Sequence, residues 1–242
     1  MKRSYEKEMM DLPGQPRLLL EEDLRNLRII NRYLGGSRAV LRGLRRLVKE
    51  QKIRRFSLLD VGTGSGDIPV RIVQWARSEG MNANVVGLEP EPVTARVAAT
   101  LTNSPLLQRE KEGDFRRCGI WVVRGDAMSP PFASSSFDFV LASQLLHHFS
   151  EEEIIALLTV WAQIARKAVI VSDLVRHPVA YHGIRIVTRL STRNVMTRMD
   201  APLSVKRAFT LAEWRELFQR ARVGPVRIFS VFPFRMMALL SV

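Results

Sequence analysis

The apolar positions follow two different periods along the chain. Leu20, Leu24, Leu27, Ile30 and Leu34 recur three and four residues apart, and Val40, Leu41, Leu44, Leu47 and Val48 repeat that spacing, which predicts two amphipathic helices. Gly35-Gly36 separates them, and Ser37 is placed to cap the second. The pattern then changes to short apolar runs that end in glycine, acid or serine, namely residues 57–61, 84–89, 120–124, 137–143 and 168–173. Each reads as a strand, and helical stretches at about 68–78, 93–101 and 151–166 lie between them. Strands that alternate with helices predict a parallel sheet with right-handed crossovers. Residues 174–208 break the alternation with His177, Pro178, Tyr181, His182, a helical stretch near 184–190 and further arginines, and read as an inserted helical cap. Thr210 is placed to cap a helix over 211–221, and two short strands, 226–231 and about 234–240, are split by Pro233. Residues 1–16, polar with Pro13, Gly14 and Pro16, read as a loose tail, and 103–117 as an irregular polar stretch. The boundaries that follow are a tail with lid helices over 1–55, a ligand-binding core over 56–173, the cap over 174–208, and the end of the core sheet over 209–242.

The chemistry concentrates at the end of the first strand, in Asp60-Val61-Gly62-Thr63-Gly64-Ser65-Gly66-Asp67. Glycines free the backbone for a tight turn and let a ligand lie against the main chain. A dinucleotide fingerprint, G-x-G-x-x-G, needs its third glycine at position 67, where this chain has Asp67. Asp67 is instead expected to cap the following helix, with Pro69 tolerated in its first turn.

The spacing of Asp60, Gly62, Gly64 and Gly66 resembles motif I of the class I methyltransferases that use S-adenosylmethionine (SAM). The resemblance continues through Val86-Gly87-Leu88-Glu89, Gly125-Asp126-Ala127, Pro131-Phe132 leading to Ser136-Phe137-Asp138-Phe139-Val140, and Leu146-His147-His148. It covers about residues 56–173 and is similar to the small-molecule branch with ubiquinone- and menaquinone-type enzymes. It implies a Rossmann-like α/β fold, with a seven-stranded sheet, an antiparallel edge strand, N-terminal helices and a helical cap insertion. It also implies SAM as cofactor: Asp60, Gly62, Thr63, Gly64 and Gly66 along the methionine part and ribose, Glu89 with Pro90 at the ribose hydroxyls, Asp126 at the adenine amino group, the Ala127 backbone at the ring, and Ser143 and Gln144 at the methyl group. His147 matches a histidine that acts as general base in some relatives; the other reading is that His147 or His148 caps the helix near Ser150. Asp173 either hydrogen-bonds an acceptor or caps the insertion. Ser129-Pro130-Pro131-Phe132 looks like the N-P-P-Y motif of enzymes that methylate base amino groups, but it precedes the fourth strand instead of following it.

Composition adjusts this picture. The 242 residues are 46% hydrophobic and 25% charged, enough for a full core, and hold one cysteine, Cys118, so no intrachain disulfide framework exists. No apolar run approaches the ~18 residues that span a bilayer, and the charged start lacks a signal region, so a cytoplasmic protein is expected. The net charge of +13, with Arg42, Arg45, Arg46, Lys49, Lys52, Arg54 and Arg55 clustered on and after the second helix, reads as a solvated face or as a nucleic-acid footprint. The four histidines share the acceptor half without a spacing that marks a metal site. The expected partner is a small hydrophobic or aromatic, polyketide-like acceptor, with O-methylation first and C-methylation next; Tyr33, Leu34, Tyr181, Ile184 and Phe234 are the residues expected to face it. RNA is the alternative acceptor, and a non-catalytic SAM-binding protein the alternative function.

Overall fold

The computed structural model describes residues 1–103 and 119–242; the stretch 104–118, which holds Cys118 and nearly all of the irregular segment expected at 103–117, lies outside the described residues. Seven strands form one sheet: β1 (Arg55–Val61), β2 (Asn82–Glu89), β3 (Gly119–Arg124), β4 (Phe137–Ser143), β5 (Ala165–Leu174), β6 (Val226–Val231) and β7 (Arg235–Ser241). Their order is β3-β2-β1-β4-β5-β7-β6. The first five run parallel, and β7 runs antiparallel to both β5 and β6. The antiparallel pair therefore sits at the edge as expected, with the reversed strand one place in. The strand order reverses between β1 and β4, and in an open α/β sheet the crevice beyond such a switch point is where ligands bind.

Both faces of the sheet are covered, which is why its strands read as continuous apolar runs. Successive residues point to opposite sides. Leu59, Val140 and Val169 enter one core with Trp161 of α5 (Glu151–Ile164) and Trp214 of α8 (Leu211–Ala221). Leu58, Phe139 and Ile170 enter the other with Leu44 of α2 (Gly36–Glu50) and Ile72 of α3 (Asp67–Ser78). α4 (Pro92–Thr102) packs on β2 and β3, and α1 (Arg17–Tyr33) packs on α4 and on α7 (Val195–Arg207), which in turn packs on α6 (Pro178–Ser191); α6 and α7 are two cap helices where one helical stretch was expected.

Two predicted caps are corrected. Gly35 and Gly66, at φ +85° and +78°, precede α2 and α3, so Ser37 and Asp67 fall inside the helices. A left-handed entry is open to glycine, and it leaves the next side chain no amide to cap. Asp67 accepts from Ser65 Oγ instead, at 3.0 Å. Thr210 does cap α8, accepting from Glu213 N at 3.3 Å while Glu213 Oε2 accepts from Thr210 N at 2.6 Å. Thr210→Ala is expected to lower unfolding stability by about 1 kcal/mol in a denaturant titration.

The loose tail is also corrected. Asp200 of α7 accepts from the backbone N–H of Met9 at 2.8 Å and Met10 at 3.0 Å, and the Arg3 guanidinium lies 3.7 Å from the centre of the Phe209 ring. Glu8 is only 2% exposed. Arg207 ties the tail to the cap and to the turn after β4, donating to the carbonyls of Glu6, His147 and His148.

Candidate active site

Beyond Val61 the backbone turns back onto β2: the N–H groups of Gly62 and Thr63 both donate to the Leu88 carbonyl, at 2.9 and 3.1 Å. Thr63 Oγ1 donates to Asp60 Oδ2 at 2.7 Å, which locks the loop to the strand. A Cβ on Gly62 would come within 2.7 Å of the Leu145 side chain, whereas one on Gly64, at φ +56°, would meet nothing within 4 Å. Gly62, at φ +66°, is thus favoured by its left-handed backbone with Leu145 packed close over it, and Gly64 presents bare backbone to the open cleft. Its N–H donates to Glu89 Oε2 at 2.9 Å, and Glu91 N–H donates to Glu89 Oε1 at 3.3 Å.

The cleft holds about 520 Å³. Of the residues singled out in the sequence, Asp60, Gly62, Thr63, Gly64, Glu89, Pro90, Ser143, Gln144 and His147 line it. Gly66 does not; it starts α3. Asp126 and Ala127 are not among the lining residues either: Asp126 accepts from Met128 N–H at 2.8 Å, and the Ala127 carbonyl accepts from Trp161 Nε1 at 3.0 Å. Ser143 Oγ is buried with no hydrogen-bond partner among the described residues.

The charge of the cleft opposes that of the chain. Among the described residues seven carboxylates line it, from Glu8, Asp11, Asp60, Asp67, Glu89, Glu91 and Asp200, and no lysine or arginine does. Burial pushes the carboxyls of Asp60, Glu89 and Glu8 up to about 7, in Glu89 against the N–H bonds from Gly64 and Glu91. Such a cleft favours a cationic ligand.

At the other end of the cleft, Gln144 leaves β4 at φ +54° and its N–H donates to the Ser172 carbonyl of β5 at 2.7 Å. That pairing brings the 3-10 turn Leu146–His148 over the end of β5, where Asp173 stands. His147 Nδ1 lies 2.7 Å from Asp173 Oδ1, and His147 N–H donates to Asp173 Oδ2 at 3.2 Å. Burial would raise the Asp173 carboxyl, but His147 and the Leu174 N–H hold it below the usual carboxylate value. An ionised carboxylate only accepts, so it fixes the proton on Nδ1 and leaves Nε2 as the basic atom. Asp173 therefore orients the histidine from behind and does not line the cleft itself. The capping alternative for the histidines is corrected: Ser150 and Glu153 form the capping box of α5 between themselves.

Sequence reasoning missed the groups that complete this end. Glu8 Oε1 is 3.7 Å from His147 Nε2, and Glu8 Oε2 is 3.9 Å from His148 Nε2. Asp11 Oδ2 is 2.8 Å from His148 Nδ1. Glu8, His147 and His148 together offer ligand atoms within 4.8 Å of one another, a metal-capable group that no sequence spacing reveals. Arg207 Nε, 3.9 Å from Glu8, already brings positive charge there. Of the residues expected to face the acceptor, Leu34, Ile184 and Phe234 line a second, apolar cavity, and Tyr181 packs beside Ile184. Tyr33 is corrected: it is 68% exposed and lines neither cavity, because it falls on the outer side of the last turn of α1.

Residues 59–171 match the family described as "Methyltransferase domain". A comparison with curated proteins gave no match. Among solved structures, the chain is similar to a SAM-dependent methyltransferase from Aquifex aeolicus, at 15% identity over 91% of this chain and 97% of that one, with a TM-score of 0.62. It is similar to a putative O-methyltransferase from Nostoc punctiforme, at 18% identity over 100% of this chain and 64% of that one, with a TM-score of 0.62. It is also similar to a magnesium protoporphyrin IX methyltransferase from Synechocystis with bound S-adenosylhomocysteine (SAH), at 15% identity over 86% of this chain and 83% of that one, with a TM-score of 0.56.

Proposed function

We propose that this chain, a class I SAM-dependent methyltransferase, methylates a hydroxyl oxygen of a small aromatic or polyketide-like acceptor, with His147 as general base. The observation that carries the reading is the buried His147–Asp173 pair at the cleft that also holds the glycine loop and Glu89.

The cofactor end fits the residues present. The open backbone face of Gly64, the orphaned Ser143 hydroxyl and the ring of carboxylates suit a ligand with hydroxyls and positive charge. Bound SAM supplies an electrophilic methyl group on a sulfonium. Glu89 would accept from the ribose hydroxyls, the loop over Asp60, Gly62, Thr63 and Gly64 would hold the methionine part and ribose, and Ser143 and Gln144 would face the reacting side. Asp126 would accept from the adenine amino group; it follows β3 two residues after Arg124, which pairs with Glu89. At the acceptor end, His147 Nε2 removes the hydroxyl proton as the oxygen attacks, and Asp173 steadies the imidazolium that forms. C-methylation of an enol is the nearest alternative, since the same proton removal generates its nucleophile.

The net charge of +13 alone favours RNA. The acidic lining argues against it, because a polyphosphate strand meets like charge at the cleft. The test is calorimetry with SAH, followed by SAM turnover with phenols and with RNA. SAH binding and methyl transfer to a phenol are expected; no SAH binding, or transfer to RNA alone, overturns the proposal. No described helix is long and apolar enough to cross a membrane.

A further inference from the structure

A second cavity of about 290 Å³ opens beside the first, between α1 and the cap helices. Leu27, Gln144, Leu174, Ala201 and Ser204 line both, so the two adjoin along these residues. Its walls are aliphatic and aromatic, with Ile30, Leu34, Val179, Ile184, Val205 and Phe234 among them. Arg235 is the one charged residue among the described residues that line it. That side chain is 2% exposed; Nε donates to the Leu34 carbonyl at 3.0 Å and Nη1 is buried without a partner among the described residues. Gly183 also lines the cavity, in the middle of α6. Glycine there destabilises a helix by about 0.5–1 kcal/mol relative to alanine. No close packing demands it, because a Cβ at this position would meet nothing within 4 Å. What the missing side chain leaves is room in the cavity, and Ala180, one turn earlier, is also small.

We infer that the acceptor carries an aliphatic chain, which lies in this second cavity while its hydroxyl-bearing head stands at His147 in the first. The inference rests on the acceptor reading above and names the class of acceptor it selects. A polar or short acceptor would leave the apolar walls unused, whereas an alkyl chain removes its own surface and that of the cavity from water together. The exposed rim at Val179 and Val187, 60% and 41% exposed, marks the end at which a longer chain returns to solvent.

The test uses 5-n-alkylresorcinols from methyl to dodecyl, with calorimetric binding to the SAH-saturated protein and methyl transfer from SAM measured in parallel. Affinity is expected to rise about threefold to fourfold per methylene and then level off once the chain reaches the rim. Gly183→Leu and Ala180→Leu each fill the cavity from a helix that tolerates leucine, and both are expected to bring the plateau to shorter chains with SAH affinity unchanged. Affinity independent of chain length, or variants whose chain-length profile matches the parent, overturns the inference. Chain-dependent binding without methyl transfer to any resorcinol sustains the tail site and overturns the O-methylation reading. Transfer with no chain dependence does the reverse.

Discussion

His147→Gln is expected to lower kcat for a phenolic acceptor by about 10²- to 10⁴-fold, the usual contribution of a positioned base, while SAH affinity stays within twofold. Glutamine keeps a polar group of similar reach but has no lone pair that can take a proton at neutral pH. The effect is expected to depend on the acceptor. A phenol near its ordinary pKa of about 10 is protonated at pH 7, so its oxygen becomes a strong nucleophile only as the proton leaves. An electron-poor phenol that is already ionised at the assay pH needs no base, and for it the deficit should shrink to a few fold. Asp173→Asn should reproduce much of the loss. An asparagine facing Nδ1 can donate its own N–H there, which favours the wrong tautomer and puts the proton on Nε2. An equal loss for acidic and ordinary phenols would remove His147 from proton transfer and leave it a positioning role. Unchanged turnover would remove it from the mechanism.

The two ends of the cleft were unequally legible in the sequence. The glycine-loop end is built from contiguous segments at strand termini, so Asp60, Gly62, Gly64 and Glu89 announce themselves by local pattern, and the structure brings them to one cleft. The alternation of strands and helices is local in the same sense, because each run of Val, Ile and Leu is buried on both faces. The histidine end is assembled from far apart. Glu8 meets His147 and Asp200 holds the N–H groups of Met9 and Met10 only after the whole chain has folded. The tail has no apolar periodicity, and what orders it is hydrogen bonding from Asp200 and Arg207 to its backbone, for which a sequence carries no signal. Helix starts failed at Ser37 and Asp67 for a different reason. A good capping side chain was present, but the preceding glycine took the left-handed entry first. The total charge misled most, since among the described residues seven carboxylates and no lysine or arginine line the cleft.

Glu89→Ala is expected to weaken SAH binding by about 1–3 kcal/mol, a 5- to 150-fold rise in Kd, because two ribose hydroxyls lose an ionised acceptor. Its signature is the pH dependence. Burial pushes the Glu89 carboxyl up to about 7 in the ligand-free protein. The folded value lies above the ordinary 4.5, so the folded protein holds that proton more tightly than the unfolded chain does. This group's contribution to stability is therefore present in full below about 4.5 and lost as pH rises to about 7. Ligand binding runs the other way. Two ribose donors need the carboxylate, so SAH affinity should climb with pH up to about 7 and then level off. Glu89→Gln keeps the shape and one acceptor oxygen but cannot titrate, so its Kd should lose that dependence. Asp60 and Glu8 also titrate near 7, but they remain in the variant, and the difference between the two pH profiles isolates Glu89. Calorimetry between pH 5.5 and 8.5 reads both curves. An unchanged Kd in Glu89→Ala would refute the ribose assignment. Parallel parent and Glu89→Gln profiles would assign the pH dependence to another carboxylate of the cleft.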